Sequence, residues 1–169
     1  MMKAGVSNTE VLTDEQWKSY GGDGYLRLGK VMTDQELAAL RQRIDDIMLG
    51  KADINYELLI MQREAGEGYE QGTSGRGFKG ATLNYRKVGD MENDPLFLSY
   101  MQKPLFAHIC RRIYNKEKIA CFRALFMNKP AQTGSALGYN QDKWEGIVDR
   151  DPIITFGLLW IIQLSRMAA

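Results

Sequence analysis

Cysteine is scarce, histidine scarcer, and long apolar runs are missing. The two cysteines, Cys110 and Cys121, have no close spacing, which excludes a disulfide framework and a zinc knuckle. Both are expected to be reduced and buried, as free cysteines usually are, in a cytoplasmic protein. His108 is the single histidine. The longest apolar run, Phe156 to Ile162, is far shorter than the ~20 residues a transmembrane helix needs. Met1 to Val11 has neither an apolar core region nor a cleavage-like site, so no signal peptide is expected. There is no internal repeat and no low-complexity tract. The net charge is +1, so no surplus of one sign calls for nucleic acid or a membrane surface as partner. Nothing in the residues sets an oligomeric state.

The chain does have a core to bury. Apolar residues make up 44% of its 169 residues, enough for a single domain spanning 1–169. Two capping boxes mark helix starts, Thr13-Asp14-Glu15-Gln16 and Thr33-Asp34-Gln35-Glu36. In each, the Thr side chain accepts from a backbone N–H and the Gln or Glu reaches back. The first helix is expected to stop at Gly21-Gly22. The second carries Leu37, Leu40, Ile44, Ile47 and Met48 on one stripe and ends near Gly50. Between them, Gly24 to Val31 reads as a strand with Leu26 and Leu28 on one face.

Further strands are expected at Tyr56 to Gln62, Thr82 to Val88 and Ile119 to Asn128. The glycine-rich stretch from Gly66 to Gly80 lacks phosphate-loop spacing and reads as a surface or active-site loop. Asp94-Pro95 is a helix start, with Asp as cap and Pro at the first position. It opens a helix pair, Leu96 to Tyr114, broken at Lys103-Pro104. Gln132 to Ser135 is a loop, and Leu137 to Asp142 and Ile153 to Phe156 are short strands.

The informative segment runs from Arg123 to Thr155. It reads Arg123-Ala-Leu-Phe-Met-Asn-Lys-Pro130, then Gly134-Ser-Ala-Leu-Gly-Tyr-Asn140-Gln-Asp142-Lys-Trp144, then Asp149-Arg-Asp-Pro-Ile-Ile-Thr155. It resembles the phytanoyl-CoA dioxygenase family of iron(II)/2-oxoglutarate oxygenases. Gly24-Tyr-Leu-Arg-Leu28 before a capped amphipathic helix is similar to the family's opening. Tyr85-Arg-Lys-Val88 followed by Asp94-Pro-Leu-Phe97 is similar to its middle. The likeness covers about residues 13 to 155.

That resemblance implies a mainly β fold with flanking helices, a double-stranded β-helix of the jelly-roll type, incomplete at the C-terminus. It implies iron(II) and 2-oxoglutarate as cofactors and a small organic molecule as substrate, hydroxylated at an aliphatic C–H. Such iron centres use two His and one carboxylate and leave three positions open. By the resemblance, Asp142 stands at the carboxylate position and Asn140 at the first His position. An amide oxygen is a weaker donor there than imidazole, and no histidine follows Asp142. His108 lies on an expected helix and reads as a structural or surface histidine. Two of three ligands are therefore absent, and the chain is expected to be inactive as written. The other reading is a non-catalytic binding or regulatory relative that has lost the metal site.

The resemblance also implies that Lys87 contacts 2-oxoglutarate, since a cation suits its carboxylate; the alternative is an exposed strand lysine. Leu125 and Met127 share one strand face by period two and either border the co-substrate pocket or pack in the core. Trp144 either lines the pocket mouth or is a half-buried surface aromatic.

After Thr155 the chain departs from the family pattern of Trp-x-Ala-Leu-Asp and Glu-Asn-Gly. A reading frame begun at the third base of the Phe156 codon permits that pattern. Two of its residues are forced: the Trp160 codon followed by Ile gives Asp, and the Met167 codon followed by Ala gives Gly. Residues 156–169 are therefore expected to be a frameshifted end, with the intact protein continuing; the alternative is a natural variant end or a splice product.

Overall fold

A computed structural model describes residues 11–64, 74–121 and 123–128. All belong to the compact unit Met1–Ser135. The expected loop at 132–135, the strands expected at 137–142 and 153–156, and the tail 156–169 lie outside the described residues.

Both capping boxes form. Thr13 Oγ1 accepts from the Gln16 N–H at 3.2 Å, and Gln16 Oε1 accepts from the Thr13 N–H at 2.8 Å. They open α1, Asp14–Asp23. Thr33 and Glu36 repeat the exchange at 3.1 and 2.7 Å and open α2, Asp34–Met48. Leu40, Ile44, Ile47 and Met48 of α2 are buried and Leu37 is half-buried, as the stripe requires. Gly50 follows α2 at φ +72, and a Cβ there would meet the Phe78 ring at 2.7 Å. Only glycine satisfies both conditions.

Two expectations near the front are corrected. α1 runs through Gly21-Gly22 and ends at Gly24, whose φ of 75° and N–H bond to the Tyr20 carbonyl make the cap. Neither earlier glycine takes the left-handed conformation that stops a helix. Gly24 to Val31 forms no strand. Leu26 and Leu28 are half-buried between exposed neighbours, so the alternation is real, but no described strand pairs with it.

Asp94 caps α3, Pro95–Met101, accepting from the N–H groups of Leu96 and Phe97 at 3.0 and 3.1 Å. Its other oxygen takes the Arg43 Nε–H from α2 at 2.7 Å, and the Asp94 side chain is fully buried. The break at Lys103-Pro104 stands, and α4 is Pro104–Tyr114.

Four strands form one antiparallel sheet: β1 Ile60–Arg63, β2 Ser74–Arg76, β3 Tyr85–Gly89 and β4 Leu125–Met127, in the order β2-β1-β3-β4. Three expected strands are shorter than their apolar runs. Tyr56–Leu58 is a 3-10 turn capped by Asn55, so β1 starts later. The glycine-rich stretch, expected to be all loop, contributes β2. Helix outweighs strand among the described residues, so of the expected mainly β fold they show one small antiparallel sheet with helices.

The two faces of the sheet differ. Met61, Val88 and Tyr85 are fully buried. Tyr85 and Val88 are three apart, out of phase for a regular strand. A bulge resolves this: Gln62 pairs with Lys87, but Arg63 pairs with Tyr85, so the extra residue at Arg86 shifts the phase by one. The rest of the buried apolar set comes mainly from α2, α3 and α4. The opposite face is open among the described residues, with Leu125 44% and Met127 42% exposed. Cys121 is exposed and Cys110 half-buried, which corrects the expectation that both are buried.

Candidate functional site

The open face is built from rungs across the ladder. Directly opposed residues of antiparallel strands share a face. One rung is Ser74, Gln62, Lys87 and Met127; the next is Arg76, Ile60, Gly89 and Leu125. Lys87, Leu125 and Met127 therefore stand together on this face. Leu125 and Met127 are not core residues: their side chains are exposed while Phe126 between them turns toward Val88. Asn140, Asp142 and Trp144 lie outside the described residues.

Lys87 is half-buried, and so is Gln62. Neither side chain hydrogen-bonds or pairs with another described residue. Gly89 is buried, and a Cβ on it would meet Leu125 Cδ2 at 3.1 Å and Ile60 Cβ at 3.5 Å. The absent side chain lets Leu125 and Ile60 close over the strand beside Lys87.

The second rung runs into an open groove of about 600 Å³ lined by Glu57, Ile60, Arg76, Asp90, Glu92 and Arg123 among others. Arg76 pairs with Asp90 at 3.1 Å and donates to the Leu58 carbonyl at 3.1 Å. Glu92 accepts from the Ala124 N–H at 3.0 Å, which holds the start of β4 against the turn after β3. Asn128 secures its far end, donating through Nδ2 to the Tyr85 carbonyl at 2.7 Å. The sequence reading missed Gln62, Arg76 and Arg123. A signal existed for Arg123, two residues before Leu125 and so on the same face by period two. Arg76 was hidden in the glycine-rich stretch.

Buried phenols frame the other face. Tyr85 donates to the Gly80 carbonyl at 2.8 Å and accepts from the Lys79 N–H at 3.1 Å; burial raises its pKa above the ordinary value.

The side chains present do not fit a two-histidine iron centre. His108 is the chain's single histidine. It sits on α4 with its ring 6.4 Å from that of Trp17, and its Nε2 is buried without a hydrogen-bond partner among the described residues. The Arg112 guanidinium covers the same indole at 4.6 Å. His108 thus belongs to the contact between α1 and α4, the structural one of its two expected roles. Among the described residues, no group of three or more His, Cys, Asp or Glu side chains could hold a metal ion. No helix among them is long and apolar enough to cross a membrane.

A family model described as phytanoyl-CoA dioxygenase matches residues 20–162. The match ends beyond Thr155, so it takes in the first residues of the 156–169 segment. Neither the curated proteins nor the solved structures searched gave a match.

Proposed function

The chain belongs to the phytanoyl-CoA dioxygenase family, and from that premise we propose that the open face of its sheet is the co-substrate face of an iron(II)/2-oxoglutarate oxygenase. The family has a cupin-like jelly-roll fold, uses iron(II) and 2-oxoglutarate, and acts on small molecules. In this reading the four described strands are part of that jelly roll. Lys87 holds a carboxylate of 2-oxoglutarate, as an ammonium does through charge-assisted hydrogen bonds, and Leu125 and Met127 exclude water beside it. By the resemblance, Trp144 lines the mouth of the pocket. The observation that carries this is the position of Lys87: half-buried, without a described partner, and next to both apolar residues on the open face.

The reaction class is hydroxylation of an aliphatic C–H of a small organic substrate. With one histidine, with Asn140 and Asp142 at the family's ligand positions, and with no histidine after them, the chain does not complete the metal centre. As it stands it therefore does not turn the 2-oxo acid over. The single histidine also favours a second reading, a binding or regulatory relative with no catalysis. Succinate release in the presence of iron(II), 2-oxoglutarate and O₂ tests the first reading. The expected result is no release above a protein-free blank for the chain as it stands, and iron-dependent release only once the ligand set is restored, beginning with Asn140→His. Release by the unaltered chain would overturn the proposed loss. A folded, fully restored protein that releases none would favour the second reading.

A further inference from the structure

We infer that Gln62 is a second binding residue for the acid held by Lys87. This rests on the proposed co-substrate face and extends it to residues on neighbouring strands.

The geometry is that of a cross-strand pair. Gln62 is the direct partner of Lys87, and directly opposed side chains lie ~5 Å apart at Cβ. A glutamine amide offers two N–H donors and an ammonium offers three. Both side chains are half-buried, and neither has a partner among the described residues. An ammonium beside an amide suits an acceptor with two oxygens. A carboxylate bridging them satisfies both, whereas the two alone offer mostly donors. Ser74, on the far side of Gln62 in the same rung, adds a hydroxyl.

The test is saturation-transfer NMR on the full chain, with 2-oxoglutarate and glutarate as probes. The unaltered chain is expected to bind both, and Lys87→Ala to lose both. Gln62→Leu should weaken binding roughly tenfold, the effect of removing one hydrogen bond to a charged group. Gln62→Glu should abolish it, because its carboxylate would occupy Lys87. Loss on Lys87→Ala with no change on Gln62→Leu and Gln62→Glu would overturn the role of Gln62 and leave the co-substrate face standing. An unaltered chain that binds neither acid, or a Lys87→Ala variant that still does, would overturn both.

Discussion

Lys87 and Met127 stand directly opposite each other across the β3–β4 ladder, and Gln62 stands opposite Lys87 on its other side. This row lies on the face opposite Met61 and Val88, which are fully buried. The bulge at Arg86 is what puts Tyr85 on the same side of the strand as Val88. Without it Tyr85 and Val88 could not both face the core.

The two faces predict opposite responses to the same substitution. Met61→Ala removes a fully buried side chain and should cost about 2–5 kcal/mol. Met127→Ala removes a side chain that is 42% exposed, and should stay within about 0.5 kcal/mol. Urea unfolding of both variants checks this. Equal losses would mean that the open face is a core face.

Asp94 joins α2 to α3 by accepting from the Leu96 and Phe97 N–H groups and from Arg43 while fully buried. Asp94→Ala leaves the Arg43 guanidinium, itself largely covered, without its anion and removes the cap, so it should cost about 3–5 kcal/mol. Asp94→Asn keeps an oxygen for the cap and should cost clearly less. Denaturant midpoints of the two variants separate the cap from the ion pair.

The two capping boxes look alike in the sequence and should behave differently. Thr33→Ala should cost about 0.5–2 kcal/mol of global stability, because α2 carries four buried residues. α1 has no fully buried residue, so Thr13→Ala should speed amide exchange in α1 while leaving the unfolding midpoint unchanged. Exchange by mass spectrometry, read beside a urea titration, tells them apart.

The pH dependence of stability has two limbs. The Lys103 ammonium, 2.6 Å from the Glu36 carboxylate, and the Thr33 N–H lower the Glu36 pKa. A lowered folded pKa stabilises above the unfolded value of 4.5 and is lost as pH falls through the folded one. Glu36→Gln should flatten that acid limb by ~0.2–1 kcal/mol, the range for an exposed pair. Burial, aided by the Glu36 charge, pushes Tyr100 up to about 12. Its stabilisation is present below the unfolded value of 10.0 and is lost as pH rises from there toward about 12. Tyr100→Phe should remove that part of the alkaline fall. Thermal melts across pH test both limbs.

What was legible in the sequence is what short-range chemistry decides. Thr13, Thr33 and Asp94 announce their helices because cap and partner lie within three residues. The α2 stripe is legible because its period is that of one helix. The strand expected at Gly24 to Val31 failed because alternation records burial, not pairing, and an extended segment can bury Leu26 and Leu28 with no strand beside it. The glycine-rich stretch concealed β2, whose existence depends on pairing with β1. Lys87, Leu125 and Met127 were drawn together by resemblance to a family. That Gln62 stands in the rung of Lys87 and Met127 depends on strand register, which no local pattern announces.

Amide exchange of the full chain with and without saturating 2-oxoglutarate tests the central claim most directly. The account predicts slower exchange in the peptides covering β3, 85–89, and β4, 125–127, with α2 and α4 unchanged. No protection in β3 and β4, or protection confined to the helices, would contradict it.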